Sequence, residues 1–282
     1  MKFAVIGGDR RSALLAELLH RDGHRVQCFA LERAGLPEEM VCAEHLHAAL
    51  YGADAVILPL PVERTGLLNA PYARLPMPMA ELTEAIWPGQ LVFGGAFSEN
   101  LRLWAGQNGV TLIDWMRRPG FVMGNAALTA EGALGLLLQE SERSLLGSRV
   151  LLAGYGRIAR LLAARLHALN AAVTVAARRE ESRAEAEALG YRSAGFDELP
   201  GGFDFVVNTV PERVFGEGFL CCLPERALLL ELASPPGGFD RNMAENLGLR
   251  VIAAPGLPGR SAPASAAELM RRELRRAIKE GL

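Results

Sequence analysis

Val150-Leu151-Leu152-Ala153-Gly154-Tyr155-Gly156-Arg157-Ile158-Ala159 is the stretch on which the fold turns. Four apolar residues lead into two glycines separated by one residue, and an alanine follows three positions later. Beyond it Ile158, Leu161, Leu162, Leu166 and Leu169 recur at three- and four-residue spacing, which gathers them on one face of a helix. The pattern is strand, G-x-G-x-x-A, helix. Gly154 permits a tight turn, the missing side chain at Gly156 lets a pyrophosphate approach the backbone, and the small Ala159 lets the helix pack closely on a sheet. The N–H groups at the helix start, which lack helical partners, then face the phosphates. The motif predicts a dinucleotide site on Gly154, Tyr155, Gly156, Arg157 and Ile158.

Further along, the next predicted strand, 173–177, runs into Arg178 and Arg179. An NAD site places an acid there, on the ribose 2′-hydroxyl, whereas a guanidinium suits a 2′-phosphate. NADP is therefore expected, with Ser182 adding a hydroxyl; the competing reading makes both arginines plain surface cations. Two later strand ends open on the same edge of a parallel sheet, Asn208-Thr209-Val210-Pro211 and Ala233-Ser234-Pro235, and are expected to line the cofactor.

A shift of 147 residues lays the N-terminal βαβ pattern on this one without a gap: Gly7 falls on Gly154, Arg10 on Arg157, Leu14-Leu15-Ala16 on Leu161-Leu162-Ala163, and Val26 on Val173. Either this is an internal repeat or two such units share their patterning by convergence. Asp9, however, stands where the second unit has Gly156, and a carboxylate there repels a pyrophosphate. The first unit is not expected to hold a dinucleotide. Other strands are read at 55–58, 91–93, 111–114, 205–208, 227–232 and 251–253. Continuous apolar strands alternating with helices indicate doubly wound parallel sheets in an α/β chain, here two Rossmann-like domains. The expected division is 1–125 plus 262–282 as a substrate or interaction domain and 126–261 as the NADP-binding domain. A helix over 126–142, apolar on nearly every side, passes between them.

Composition narrows the function. The 282 residues are 50% apolar, and 30 basic against 32 acidic side chains leave a formal net charge of −2. That is ample for two cores and argues against nucleic-acid or membrane-surface binding, which needs a basic excess. The basic residues of 265–279 are read as one solvated helix face. No run approaches 18–20 uninterrupted apolar residues, so no membrane span is expected. Cys28, Cys42, Cys221 and Cys222 have neither C-x-x-C nor metal-ligand spacing, so a reduced, cytoplasmic chain without a metal is expected.

Several of these segments together resemble the dipicolinate synthase A-subunit family: Gly154-Tyr155-Gly156-Arg157, Ala177-Arg178, Asn208-Thr209-Val210-Pro211, Ala233-Ser234-Pro235-Pro236-Gly237-Gly238, Pro255-Gly256-Leu257-Pro258-Gly259, the 125–132 segment and Gly7-Gly8-Asp9-Arg10. The likeness spans essentially the whole chain. It implies a fold like the two-domain 2-hydroxyacid and alanine dehydrogenases. It implies oxidation of dihydrodipicolinate to dipicolinate in the mother-cell cytoplasm of a sporulating bacterium, alongside a flavoprotein-like B-subunit. The chain departs from the family at Ala159 and Asn170, where glycine is usual, and at Ala264-Ser265, where a Lys-Thr pair is usual.

Turning a dihydropyridine into a pyridine removes one hydride and one proton, and aromatisation drives it. Positioning then carries much of the catalysis. The two carboxylates of this small cyclic substrate call for cations or N–H donors. Arg10 and Arg117 are candidates, with Arg64 and Arg118 behind them. Asn125, Thr129 and Glu131 are expected at the start of the interdomain helix, either as its caps and first-turn acid or as part of a carboxylate site. No acid–base residue stands out. Two alternatives therefore stay open: a non-catalytic NADP-binding partner of the flavin protein, and an NADP-dependent dehydrogenase of another small acid. So does a homodimer.

Overall fold

A computed structural model describes residues 1–280. The chain divides into two compact units, Met1–Asn125 with Pro258–Leu282, and Ala126–Leu257.

The first unit contains β1 (Lys2–Ile6), α1 (Arg10–Arg21), β2 (Arg25–Phe29), α2 (Leu46–Leu50), β3 (Ala55–Ile57), β4 (Glu63–Arg64), β5 (Leu67–Leu68), α3 (Met79–Ala85), β6 (Leu91–Gly94), α4 (Glu99–Gln107) and β7 (Thr111–Asp114). Its parallel sheet has the order β2-β1-β3-β6-β7, and β4 and β5 form a separate antiparallel hairpin. Alternate residues of the strands feed opposite faces. Ala4, Ile6, Val56 and Val92 pack with Leu82 and Leu101, while Phe93 stacks on Trp115, and Trp115 on Phe121. Trp115 is fully buried, a burial of the size that dominates a small core.

α5 (Pro119–Gln139) carries the chain into the second unit, which continues with β8 (Arg149–Ala153), α6 (Arg157–Ala168), β9 (Ala172–Ala176), α7 (Glu180–Ala188), β10 (Arg192–Ala194), β11 (Phe205–Asn208), α8 (Glu217–Leu220), β12 (Leu228–Glu231), α9 (Arg241–Asn246) and β13 (Arg250–Ala253). All strands are parallel, in the order β10-β9-β8-β11-β12-β13. Val150, Leu152, Val207 and Leu230 face one core with α6, and Leu151, Val206 and Leu229 face the other. That two-sided burial is why the strands are apolar without alternation. α10 (Leu257–Ser261) leads into α11 (Pro263–Lys279), whose apolar stripe of Ala266, Leu269, Met270, Leu274 and Ala277 is buried and which packs on α1.

Two expectations need correcting. The helix read as 126–142 begins seven residues earlier, at Pro119, and ends at Gln139. Proline suits the first helical turn because its fixed φ is helical and its missing N–H has no partner to lose. Asp114 accepts a 2.8 Å bond from the Met116 N–H and so shapes the 3-10 turn Trp115–Arg117 just upstream. The second correction concerns apolar length. α5 is long and apolar enough to cross a membrane by length and composition, because Asn125, Thr129 and Glu131 interrupt its apolar run without lowering its mean hydropathy far. Phe121, Ala126, Ala130, Ala133 and Leu137 on it are buried in protein.

Three bases of α11, and Arg118 beside it, form ion pairs. Arg271 and Arg275 both reach Asp22, at 3.1 and 2.7 Å, Arg276 reaches Glu273, and Arg118 reaches Glu280 at 2.8 Å.

Candidate functional site

The second unit's site grows from the turn between β8 and α6. Gly154 has φ +88°, and a Cβ there would lie 2.6 Å from Thr209 Oγ1, so both conformation and space demand glycine. Thr209 is pinned against the turn by bonds from its N–H and its hydroxyl to the Ala153 carbonyl, at 3.0 and 2.7 Å. At Gly156 a Cβ would meet nothing: the space in front of the helix is open. Gly156 is also the N-cap of α6 and supplies no side-chain acceptor. An anion can therefore take up the N–H groups of the first turn, Arg157 to Ala159.

A cavity of about 280 Å³ lies beside this turn, lined by Gly154, Tyr155, Gly156, Ala177, Arg178, Arg179, Ser182, Phe196 and Val210. The strand order reverses between β8 and β11, which is where dinucleotides bind in such sheets, one half over each side. The cavity sits on the β9 side. The open glycine approach, a helix start and exposed guanidinium groups meet there, a donor set suited to the phosphates of a dinucleotide. Phe196 had no mark in the sequence, because its part is to shape the wall.

Two details change the chemistry. The Arg178 guanidinium is held at 2.5 Å by Glu212, and the pair is more than half exposed on both sides. A 2′-phosphate must compete with that carboxylate. Tyr155 turns its ring into the core, with Arg160 stacked on it at 4.9 Å and anchored in turn to Glu185. Burial, and then Tyr191 and Glu185, push the Tyr155 phenol above its ordinary pKa against the pull of Arg160. The phenol stays neutral and serves packing.

On the β11 and β12 side the strand ends are tied together. Asn208, fully buried, donates to Glu231 Oε1 at 2.7 Å and to the Val210 carbonyl at 2.8 Å, and accepts from the Val210 N–H at 3.1 Å. Glu231 also accepts from the N–H groups of Ala233 at 3.0 Å and Gly238 at 2.7 Å. Thr209, Val210, Pro211, Ala233 and Ser234 sit on these two strand ends. Glu231 was not among the expected site residues; an acid closing a run of leucines was its one sequence signal.

The equivalent turn in the first unit is closed. Asp9 caps α1 by accepting from the Arg11 N–H at 3.0 Å, and its carboxylate grips the Arg11 guanidinium, 2.7 Å away. Gly8 donates to the Asn69 carbonyl just after the β4–β5 hairpin, and a Cβ at Gly7 would strike Leu68. The hairpin thus lies against Gly7 and Gly8, the counterparts of Gly154 and Tyr155, while the counterpart of Gly156 is filled by the Asp9 carboxylate and its Arg11 partner.

The catalytic candidates stand on separate elements. Arg10 donates to the Ala34 carbonyl at 2.8 Å with Glu17 at 3.9 Å, and Arg117 is exposed on the 3-10 turn. Asn125 lies six residues inside α5, with Thr129 and Glu131 further along it. Asn125 and Thr129 thus lie within the helix and not at its start, and the free N–H groups expected beside them belong to its first turn at Pro119.

Residues 2–116 match the family described as the N-terminal domain of the dipicolinate synthase A-subunit, and residues 128–220 match the D-isomer specific 2-hydroxyacid dehydrogenase, NAD binding domain. The fold is that of the 2-hydroxyacid and alanine dehydrogenases, and its NAD-binding domain is of the dehydrogenase type, that of an oxidoreductase. Within that class the resemblance to the dipicolinate synthase A-subunit, drawn from the motifs, is borne out. The protein of that name from Bacillus subtilis (strain 168) is 27% identical over 99% of this chain and 96% of its own length. The crystal structure of the Bacillus subtilis A-subunit superposes with a TM-score of 0.83 at 26% identity, covering 99% of this chain and 96% of that one. That of the dipicolinate synthase A-subunit from Bacillus halodurans shares the fold at a TM-score of 0.85 and 24% identity, over 98% of this chain and 97% of that one.

Proposed function

We propose that this chain is the NADP-linked component of a dipicolinate synthase, oxidising dihydrodipicolinate to dipicolinate in the cytoplasm of a sporulating cell. A flavoprotein-like B-subunit works with it. The observation that carries the reading is the open turn at Gly156, set before an uncapped helix and beside Arg178 and Arg179, in a chain whose other unit matches the A-subunit N-terminal domain. Bound NADP supplies the acceptor for the hydride that leaves the dihydropyridine ring.

The residues of the second unit bind and orient. The N–H groups of Arg157 to Ala159 receive the pyrophosphate, and Arg178, Arg179 and Ser182 receive the 2′-phosphate. Asn208 to Pro211 and Ala233–Ser234 flank the nicotinamide half. Arg10, Arg117, Asn125, Thr129 and Glu131 remain the candidates on the substrate side, with the two substrate carboxylates recognised by cations. Because aromatisation drives the step, alignment of the ring against the cofactor carries most of the rate enhancement.

Mixing the purified chain with NADP and freshly prepared dihydrodipicolinate tests this. Growth of the reduced-nicotinamide absorbance is expected. Binding of NADP with no absorbance change, whether or not the second protein is added, would leave a cofactor-binding partner in place of an enzyme. Light scattering on the same sample reads its mass and decides between monomer and homodimer.

A further inference from the structure

Glu231 is a carboxylate at the carboxyl end of a buried strand, 9% exposed, with three donors aimed at it. Oε1 takes the Asn208 side-chain N–H and the backbone N–H of Ala233; Oε2 takes the backbone N–H of Gly238. The donors belong to different segments. Asn208 closes β11 and fixes Val210 through two further bonds. Ala233 and Gly238 bracket the loop after β12, and the Gly238 carbonyl in turn accepts from Val214 and Phe215, each at 3.3 Å. One side chain thus joins both strand ends that flank the cofactor's second half.

The packing around it leaves little freedom. Gly237 has φ +72°, and a Cβ there would stand 2.6 Å from Glu231 Oε2; a Cβ at Gly238 would stand 2.6 Å from Asn208 Cγ. The two glycines let the loop fold onto the carboxylate and the amide. Such a cluster is costly to leave half satisfied, because each buried donor without an acceptor keeps its full desolvation penalty. A carboxylate has acceptors on both oxygens. A glutamine has one, and whichever way its amide turns, an NH2 faces an N–H. The orientation that keeps Asn208 and Ala233 surrenders Gly238.

We propose that Glu231 is a positioning residue for the nicotinamide half of the cofactor, acting through Asn208 and Gly238 to hold the 208–211 and 233–238 loops in their binding shape. This rests on the reading of the second unit as an NADP site. The adenosine half lies beyond the clamp, against Gly156, Arg178 and Ser182, so the two halves respond differently when the clamp is cut.

The experiment titrates two probes, NADPH and adenosine 2′,5′-bisphosphate, onto the full chain and onto E231Q and G238A. Melting temperatures and the emission of bound NADPH are recorded alongside. NADPH is expected to bind each variant at least tenfold more weakly and to lose its bound-state emission, while the bisphosphate changes by less than twofold. Equal weakening of both probes, or no change in either, overturns the proposal. So does failure of both variants to fold, which would make the cluster a requirement of folding. If the unaltered chain binds neither probe, the NADP reading itself fails, a separate and recognisable result.

Discussion

Asp9 and Gly156 occupy equivalent turns, and one side chain separates what those turns can hold. The carboxylate caps its helix and binds Arg11, whereas the glycine leaves its approach open. The same economy governs cofactor choice. Glu212 holds one nitrogen of the Arg178 guanidinium, and its charge opposes a 2′-phosphate at that arginine. R178D is therefore expected to weaken NADP more than NAD, and E212A to tighten NADP by several-fold, with equilibrium binding of both cofactors as the measurement. Unchanged affinities would place the 2′-phosphate elsewhere. At Cys28 the thiol is pushed up to about 12 by burial, with Cys42 beside it adding to the rise. The unfolded thiol titrates near its ordinary 9.0, so between about pH 9 and 12 the unfolded chain loses that proton first. The stability Cys28 contributes is complete below pH 9 and falls as pH rises above it, by up to roughly 1.4 kcal/mol per pH unit. Denaturant midpoints measured across that range should fall more steeply for the natural chain than for C28A.

Among elements, α6 and α1 are legible in the sequence, because their apolar spacing and glycine turns are local. The β4–β5 hairpin is not. Each strand has two residues, too few for a periodic pattern, and its partners are chosen by the surface it covers. β10 is silent for a similar reason: Arg192-Ser193-Ala194 carries little apolar signal and gains its place by adding to the edge beside β9. The start of α5 is hidden because Asn125 and Thr129 look like caps, while the decisive residue is Pro119. α11 shows what packing adds. Leu274 is fully buried on it, and L274A should cost about 2–5 kcal/mol by transfer and cavity terms together. Chemical denaturation checks this; a loss below about 1 kcal/mol would mean that the helix is not held by its apolar stripe.

For the whole molecule, the two units are expected to answer a dinucleotide unequally. Saturation at a hundredfold excess over the dissociation constant stabilises the binding unit by about 2.7 kcal/mol. Hydrogen exchange with and without NADP should show slowing at 154–159, 177–182 and 208–211 and none at Gly7 to Asp9. Slowing at both turns would show that the Asp9 carboxylate does not keep a dinucleotide from the first. The fold class, the doubled βαβ pattern and the glycine turn that fits a pyrophosphate were determined by the sequence alone. They rest on local spacing, which every strand–turn–helix must display along the chain. The Arg178–Glu212 pair, the Asn208–Glu231 bond and the packing of Asn69 and Leu68 against Gly8 and Gly7 were decided only by tertiary structure. Their partners stand 34, 23 and 61 residues apart, and a carboxylate's worth to a site depends on which donors the packing delivers to it.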